Sequence, residues 1–579
     1  MIMRSFRILA ALALTASAHA LALPVVQGEP ALTPKVAVQP QIRLSGEGRA
    51  LAVLPAVSPA ELASLRAANA RNAAKHPTRR VAIGLVRGGV ATPLAWKAVP
   101  GGKAAQESVT SPEAGSLRLA IDLKGVPEDV EMVFFGADRG RIEGPVKVGS
   151  IRDRTTPYWS PLTEGDTQTV EFFAPAGSEV PAGTPRITSA SHIFTTPSSR
   201  FTKRLQDIGD SGSCNVDIVC SPLNSNTAFR NASASVAQMV FIDGSFTTLC
   251  TGSLLADSDN TSQIPWVYSA NHCFDNEDPP YKTPAQMQVV ANSLSTLWMF
   301  QAASCGTENP DASWSQVGGG ATLAYANVQN DVLLVRLNGT PPAGAFFTGW
   351  DANAIAAGTV VTAIHHPQGD LKKVSQGTVQ GFGVPGVAGG TQSFIEVHWN
   401  SGTTEPGSSG GGLWSTNGSQ YFLRGGLWGG AALCSNLNGI DNFSRFDQAY
   451  PNLAAYLGPA ITPNADYTDL WWNPDESGWG LNLVQHPTRT VFGVWYTYEA
   501  DGTRTWYVMP SGSWTSSTSY SGPIYTASGP AYNQAFNPAM VAPRQVGNAT
   551  LTFTSTSTGV FSYSVDGVAG SKQIQRQPY

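Results

Sequence analysis

The sequence predicts an all-β protein built from several domains, and three observations carry that expectation. Hydrophobic residues make up 42% of the chain and charged ones only 13%. The 59 glycines and 40 prolines punctuate short apolar runs, the pattern of strands joined by turns. Helical periodicity is nearly absent over most of the length. At 579 residues the chain has room for roughly three or four domains of ~150 residues each.

The elements follow in chain order. Arg4 and Arg7 precede an apolar run from Ile8 to Ala18, and Ala18-His19-Ala20 fits a small-residue cleavage site. Residues 1–20 therefore read as a secretory signal peptide. No other run reaches the ~18 apolar residues of a membrane span, so an exported chain that acts off the membrane is expected. Residues 24 to about 56 are rich in Pro, Ala and Val without a period and read as a loose arm. Ser58-Pro59-Ala60-Glu61 gives a helix start: an N-cap serine, proline at the first helical position and a glutamate that completes a capping box. That helix is expected to run to about Lys75, with Leu62, Leu65 and Ala68 on one face. From Val81 to about Ile193 short β runs such as SLRLAIDL and TVEFFA predict a β-sandwich. Residues 198–213 carry no apolar period and include Lys203-Arg204, the composition of a linker open to proteolysis. The expected divisions are 21–208 for the N-terminal region, 209–460 for a central block and 466–579 for a last domain.

All six cysteines, Cys214, Cys220, Cys250, Cys273, Cys305 and Cys434, lie in the central block. An even number in an exported chain points to disulfides, with fifteen pairings open. No CxxC or HExxH spacing occurs, so neither a metal nor another cofactor is expected. Residues 1–208 hold 24 Lys/Arg against 17 Asp/Glu, and residues 209–460 hold 7 against 17. An acidic central block argues against nucleic-acid binding. The opposite signs either help the first region dock on the second or reflect independently solvated surfaces. Within the block, VAQMVFI, WVYSA, DVLLVRL, GTVVTAI and SFIEVHW read as strands, and Asp447 to Leu457 as a short terminal helix.

The chemistry rests on TTEPGSSGGGLW, residues 403–414, whose centre has the pattern G-x-S-G-G around Ser409. Such a run is either a glycine-rich loop or a nucleophile turn, and a serine hydroxyl needs an adjacent base to react. His272, in WVYSANHCFD, follows a β run and adjoins Cys273, which can tie that turn to a neighbouring strand through Cys250. His365, His366 and His398 lack such flanks and read as structural. Asp331, at the mouth of the apolar run VLLVRL, is the candidate to orient the imidazole. Asp275 and Asp278 are nearer to His272 but lie in the polar stretch DNEDPP, where solvation is expected. The nucleophile elbow of α/β-hydrolases would require the order Ser, acid, His. The order here is His272, Asp331, Ser409, which is that of chymotrypsin.

Together SGSCNVDIVC, CTGSLL, ANHC, IHHP, TEPGSSG and DNFSRF resemble the bacterial lysyl endopeptidases, serine peptidases with the chymotrypsin-like double β-barrel. The resemblance spans about 212–457. It implies a triad of His272, Asp331 and Ser409, with the Gly407 and Ser409 amides as the oxyanion hole. It implies the pairings Cys214–Cys434, Cys220–Cys305 and Cys250–Cys273. It also implies a removable N-terminal propeptide that inhibits its own enzyme, and an aspartate after the last cysteine that receives the substrate lysine. Asp441 aligns with that aspartate, in a gap about two residues shorter than the family pattern. GGLWGGAALC, 425–434, would form the pocket wall with Trp428, Gly429 and Gly430 lining it. Trp428 stands where the family has histidine, a departure that leaves room for Arg as well as Lys.

The C-terminal stretch WWNPDESGWGLNL and a hairpin turn at Ala500-Asp501-Gly502-Thr503 predict a small all-β accessory domain. Its tryptophans Trp471, Trp472, Trp479, Trp495, Trp506 and Trp514 read either as core or as a face for polymers or cell surfaces. The function expected is that of a secreted serine endopeptidase cleaving protein or peptide substrates after basic residues, lysine first. The competing readings are a peptidase of other specificity and an inactive peptidase-like adhesion protein.

Overall fold

The computed structural model describes residues 23–32, 40–45, 50–75, 81–89, 94–137, 139–197, 211–259, 262–275, 279–383, 393–458, 463–486, 490–510, 512–537 and 540–578. The signal peptide, the Lys203-Arg204 linker, His76 and Asp278 lie outside the described residues.

The helix expected after Ser58 spans Pro59–Lys75. Its capping box is complete: the Glu61 amide donates to Ser58 Oγ at 3.2 Å and the Ser58 amide to Glu61 Oε2 at 2.8 Å. Leu65 is buried and Ala68 nearly so, as the periodicity predicts. The β-sandwich follows. One sheet joins Ala50–Val53, Lys97–Val99, Gly102–Thr110, Thr167–Pro175, Glu131–Gly136 and Ile142–Lys147. Facing it are Val81–Gly88, Ser116–Asp122 and Arg186–Ile193, and between them lies a core that includes Val109, Leu119, Ile121, Phe134, Val170 and Phe172.

The second layer of that sandwich does not end at the linker. Val81–Gly88 pairs antiparallel with Phe246–Leu255 of the central block, with Leu85 opposite Phe246 and Val81 opposite Leu249, so one 12-stranded sheet runs through both regions. Val81, Ile83, Leu162 and Ile193 share an apolar cluster with Val240, Leu249, Leu297, Phe300, Trp314 and Leu371. Arg118 crosses as well. It is fully buried and donates to the carbonyl oxygens of Ser160 at 2.9 Å and Ser293 at 2.8 Å. Burial pulls its guanidinium down to about 10. Among the described residues no ion pair joins the basic N-terminal region to the acidic block; sheet pairing, apolar packing and hydrogen bonds such as those of Arg118 make the contact.

The central block is a double β-barrel, as expected. Val236–Asp243, Phe246–Leu255, Trp266–Ser269, Ser295–Trp298, Ala321–Asn327 and Val332–Leu337 build the first barrel around Met239, Leu254, Val267, Trp298 and Leu333. Val360–His365, Lys373–Gly383, Phe394–Ser401, Gly412–Thr416, Tyr421–Gly430 and Ile440–Phe443 build the second, closed by pairing of Tyr421–Gly430 with Ile440–Phe443. The terminal helix spans Phe446–Leu457. Two helices were not anticipated, Thr227–Ala234 and Pro284–Asn292. The second carries a capping box from Thr283 and Gln286 that was present in the sequence. The three disulfides join Cys214 to Cys434, Cys220 to Cys305 and Cys250 to Cys273. The first spans 220 residues and removes the most denatured-state freedom, roughly 5 kcal/mol in a chain-entropy account.

The arm was expected to be loose, and its first part is not. Val25–Val26 and Glu29–Pro30 are strands paired with Gly349–Asp351 and Phe346–Phe347. A two-residue strand is too short to leave a period in the sequence, and its partner lies over 300 residues away.

Described by itself, the C-terminal unit is a β-barrel of nine strands between Asp469 and Arg576, closed where Val508 meets Tyr525. The hairpin joins Val491–Tyr498 to Arg504–Met509, with Gly502 in the left-handed region at φ +82°. Trp471, Trp495 and Trp514 are core, whereas Trp506, opposite Tyr496, is half exposed, as are Phe492, Tyr496 and Tyr498.

Arg118→Met removes donors from buried carbonyls and should destabilise the full-length chain by roughly 2–4 kcal/mol. Urea unfolding in low and high salt checks this. The loss should be the same in both, whereas a loss that shrinks with salt would point to ionic docking.

Candidate active site

Each chemical residue is placed by a strand end. Trp266–Ser269 runs out into a single helical turn, Asn271–Cys273, that carries His272. Cys273 on this turn is bonded to Cys250 on the neighbouring strand. Asp331 immediately precedes Val332–Leu337, which pairs with Trp266–Ser269. Its backbone is left-handed, φ +51°, a conformation that aspartate tolerates better than most residues. From there both carboxylate oxygens face His272. Oδ1 accepts the His272 amide at 2.9 Å, and Oδ2 lies 2.8 Å from Nδ1. All three groups are buried, so the imidazole is held as the tautomer that donates from Nδ1. Nε2 is then the acceptor, 2.8 Å from Ser409 Oγ.

Ser409 sits on the turn before Gly412–Thr416. The Thr251 amide donates to the Ser409 carbonyl at 2.8 Å, and Thr251 Oγ1 donates to the Gly407 carbonyl at 3.0 Å. Gly407 and Gly410 have φ of +92° and +77°. A Cβ on Gly410 would collide with Ser269 Oγ and the Thr251 carbonyl, so the motif glycine lets the turn close on the strands that carry His272 and Cys250. The G-x-S-G-G run is therefore a packed turn and not a flexible loop.

The neighbouring serine has a different task. Ser408 Oγ lies 2.8 Å from His365 Nδ1 and accepts the Glu405 amide at 3.2 Å. His365 Nε2 is 3.2 Å from Ser375 Oγ, which donates to the Thr403 carbonyl at 2.7 Å. Burial drives His365 down to about 3, with Lys373 adding to the effect, so its ring is neutral and structural. His366 is likewise held neutral by burial and faces the Asp370 carbonyl through Nδ1 at 3.0 Å. His398 lies on Phe394–Ser401, opposite Ile440. Asp275 departs from expectation: it is buried, not solvated, and accepts the Lys282 amide at 2.5 Å.

Asp441 is fully buried and pairs directly with Gly430 across the two strands. Trp399 Nε1 at 2.7 Å and Thr404 Oγ1 at 2.6 Å both donate to its Oδ2. Oδ1 accepts the Ala432 amide at 3.4 Å. A side chain on Gly430 would strike Oδ1. With neutral donors alone among the described residues, burial raises this carboxyl to about 6. Trp428 is buried with its ring 5.9 Å from that of Phe394, and Gly429 next to it has φ +146°. Thr251, Trp399, Thr404 and Glu405 were not foreseen. Thr404 and Glu405 stand in the motif stretch itself, but nothing in the sequence marks which hydroxyl meets a residue 37 positions away.

A serine beside an oriented imidazole, on a turn of glycine-permitted amides, can attack a carbonyl carbon and pass its proton to Nε2. Among the described residues no group of His, Cys, Asp and Glu has the geometry of a metal site.

Residues 208–444 match the model of the lysyl endopeptidase C-terminal domain, and residues 53–194 that of the lysyl endopeptidase N-terminal domain. A lysyl endopeptidase of Pseudomonas aeruginosa is 37% identical over 385 residues, which cover 64% of this chain and 78% of that protein. Among solved structures, the active form of the Rv3671c protease from M. tuberculosis is 16% identical and covers 45% of this chain and 94% of its own, with a TM-score of 0.28. The HtrA-type protease AlgW with a tripeptide is 14% identical and covers 61% and 97%, with a TM-score of 0.26.

Ser408→Ala leaves the Glu405 amide and His365 without that oxygen and should cost about 1–2 kcal/mol of stability. Gly410→Ala should do far more, because the Thr251 carbonyl and the Ala270 amide block it as well as Ser269 Oγ, and its φ is +77°. Thermal unfolding of the two variants should rank them in that order.

Proposed function

The chain belongs to the lysyl endopeptidase family and is a serine endopeptidase, and from that premise we propose that it is exported as a latent precursor and cleaves peptide bonds after lysine. The observation that carries the catalytic part is the hydrogen-bonded row Ser409 Oγ, His272, Asp331, with both links at 2.8 Å. Ser409 attacks the scissile carbonyl while His272 Nε2 takes its proton. Asp331 holds the imidazole and stabilises its cation. The Gly407 and Ser409 amides receive the oxyanion, where one such donor is worth about 3 kcal/mol. His272 then protonates the leaving amine, and water repeats the sequence on the acyl-enzyme.

Lysine preference rests on Asp441. A buried carboxylate whose described partners are all neutral is matched by an ammonium that enters from the pocket. Trp399 and Thr404 both donate to Oδ2, so among the described residues Oδ1, with the long Ala432 contact, is the more open oxygen for a substrate. A guanidinium fork needs two carboxylate oxygens, while an ammonium needs one. This supports lysine over arginine despite Trp428, whose ring is already packed on Phe394.

Latency has its own support. Ser409 and Asp441 have no exposed surface in the full-length chain. The N-terminal region is built into the same sheet as the first barrel, as an inhibitory propeptide would be. Processing near Gly209 would release the active enzyme. The apolar segment before Ala20 and the three disulfides support export. The exposed row Phe492, Tyr496, Tyr498 and Trp506 supports a polymer- or cell-surface-binding role for the C-terminal barrel.

Ser409→Ala should abolish peptide hydrolysis and fluorophosphonate labelling, while Ser408→Ala keeps both. Labelling of the Ser409 variant would refute the assignment. Asp441→Asn should lower kcat/KM for Lys peptides by at least ~10-fold, since each ~1.36 kcal/mol is tenfold. Thr404→Val should narrow the Lys-to-Arg ratio by freeing part of Oδ2. The raised carboxyl also fixes a pH sign. The ammonium binds the ionised form, so inhibition by n-butylammonium should strengthen as pH rises through about 6 and fade below it. A pH-independent inhibition constant, or equal rates on Lys, Leu and Glu peptides, would refute the basic pocket.

A further inference from the structure

Residues 23–32 make a contact with the central block that is separate from the sheet extension at Val81–Gly88. Val25 and Val26 pair with Asp351 and Trp350, and Glu29 and Pro30 with Phe347 and Phe346. The backbone is also bonded at both ends. Asn353 accepts the Leu23 amide at 2.9 Å and donates to the Leu23 carbonyl at 2.8 Å. Gln263 accepts the Leu32 amide at 2.8 Å and donates to the Pro30 carbonyl at 2.9 Å. Between them Gln420 Oε1 accepts the Gly28 amide at 3.3 Å.

Three side-chain amides thus read the backbone of an extended segment, which is how a protein holds a peptide added as a strand. The segment also packs inward. Val26 and Ala31 lie against the core of the first barrel. Gly28 and Gly349 meet back to back: a Cβ on Gly28 would lie 2.8 Å from the Gly349 amide nitrogen, and one on Gly349 would lie 2.8 Å from the Gly28 nitrogen. Neither position has room for a side chain.

We infer that strands Phe346–Phe347 and Gly349–Asp351, with Gln263, Asn353 and Gln420, form a strand-addition site whose occupant is the chain's own residues 23–32, and that this latch keeps the N-terminal region on the enzyme after the linker at Lys203-Arg204 is cut. The inference rests on the reading of residues 21–208 as a propeptide. Two contacts joined by one chain bind as a bivalent ligand, since loss of either leaves the other to hold the partner at high effective concentration. One cut in the linker then nicks the precursor without freeing the enzyme, and release needs the latch to let go as well.

The test uses the full-length Ser409→Ala chain, which does not process itself, with the recognition sequence of a site-specific protease inserted at Lys203-Arg204. After cutting, dissociation of the N-terminal fragment is followed by size exclusion on dilution and by mass spectrometry. The fragment should stay bound in the parent and leave at least ~10-fold faster in Gly28→Trp. A chain combining Gln263→Ala, Asn353→Ala and Gln420→Ala removes only the amide contacts, and should show faster release even if Gly28→Trp fails to fold. Equal release from parent and triple variant would overturn the latch. The same insertion in the chain with Ser409 intact separates the two ideas. Full activity with the fragment still bound would remove the inhibitory propeptide reading and leave the latch standing.

Discussion

Four hydrogen bonds meet on Thr251, and three of them join the first barrel to the second at the point where their reactive groups meet. Its amide holds the Ser409 carbonyl, its hydroxyl donates to the Gly407 carbonyl and accepts the His366 amide, and its own carbonyl accepts Ser269 Oγ. The serine turn comes from the second barrel, and the histidine turn from the first. A short contact between side chains on two separate barrels survives only if the backbones beneath are fixed to each other. Thr251 fixes them, and the adjacent Cys250–Cys273 bond fixes the histidine turn to the same strand. The 2.8 Å approach of His272 to Ser409 depends on this frame more than on the strength of that single hydrogen bond.

Polar groups at the centre fall into two kinds. His365 and His366 are buried and driven neutral, and they serve as hydrogen-bonding blocks beneath the serine turn. Asp441 is also buried, but burial has only pushed it up to about 6, because Trp399, Thr404 and the Ala432 amide partly sustain its charge. The free fold binds that proton more tightly than an unfolded chain would, so between roughly pH 4 and pH 6 the carboxyl's contribution to stability falls as pH rises. On the proposed lysine pocket, a bound ammonium would reverse that balance, and the site would be least stable when empty.

How much was legible follows from the range of each signal. The helix at Pro59–Lys75 and the hairpin at 500–503 were readable because their determinants are a few residues apart. His272, Asp331 and Ser409 were singled out because strand ends and glycine turns flank them and their order is not that of α/β-hydrolases; the structure brings these three together. Asp275 was misread because a polar sequence neighbourhood does not report burial. The short arm strands and the Thr404 and Trp399 contacts to Asp441 are set by partners tens to hundreds of residues away. The charge asymmetry between the first two regions was real in the sequence, yet among the described residues it makes no ion pair across the contact.

The strand Phe246–Leu255 is shared. Its later residues carry Cys250 and Thr251, and residues 246–249 are covered by Val81–Leu85 of the N-terminal region. Removing that region would uncover a row of unpaired amides and carbonyls, bordered by Val240, Leu249, Leu297 and Phe300. A raw sheet edge with an apolar border invites pairing with any extended chain, including another copy. If residues 21–208 are removed as proposed, the remaining protein would carry an aggregation hazard that the full chain lacks, and its colloidal behaviour would change along with its activity.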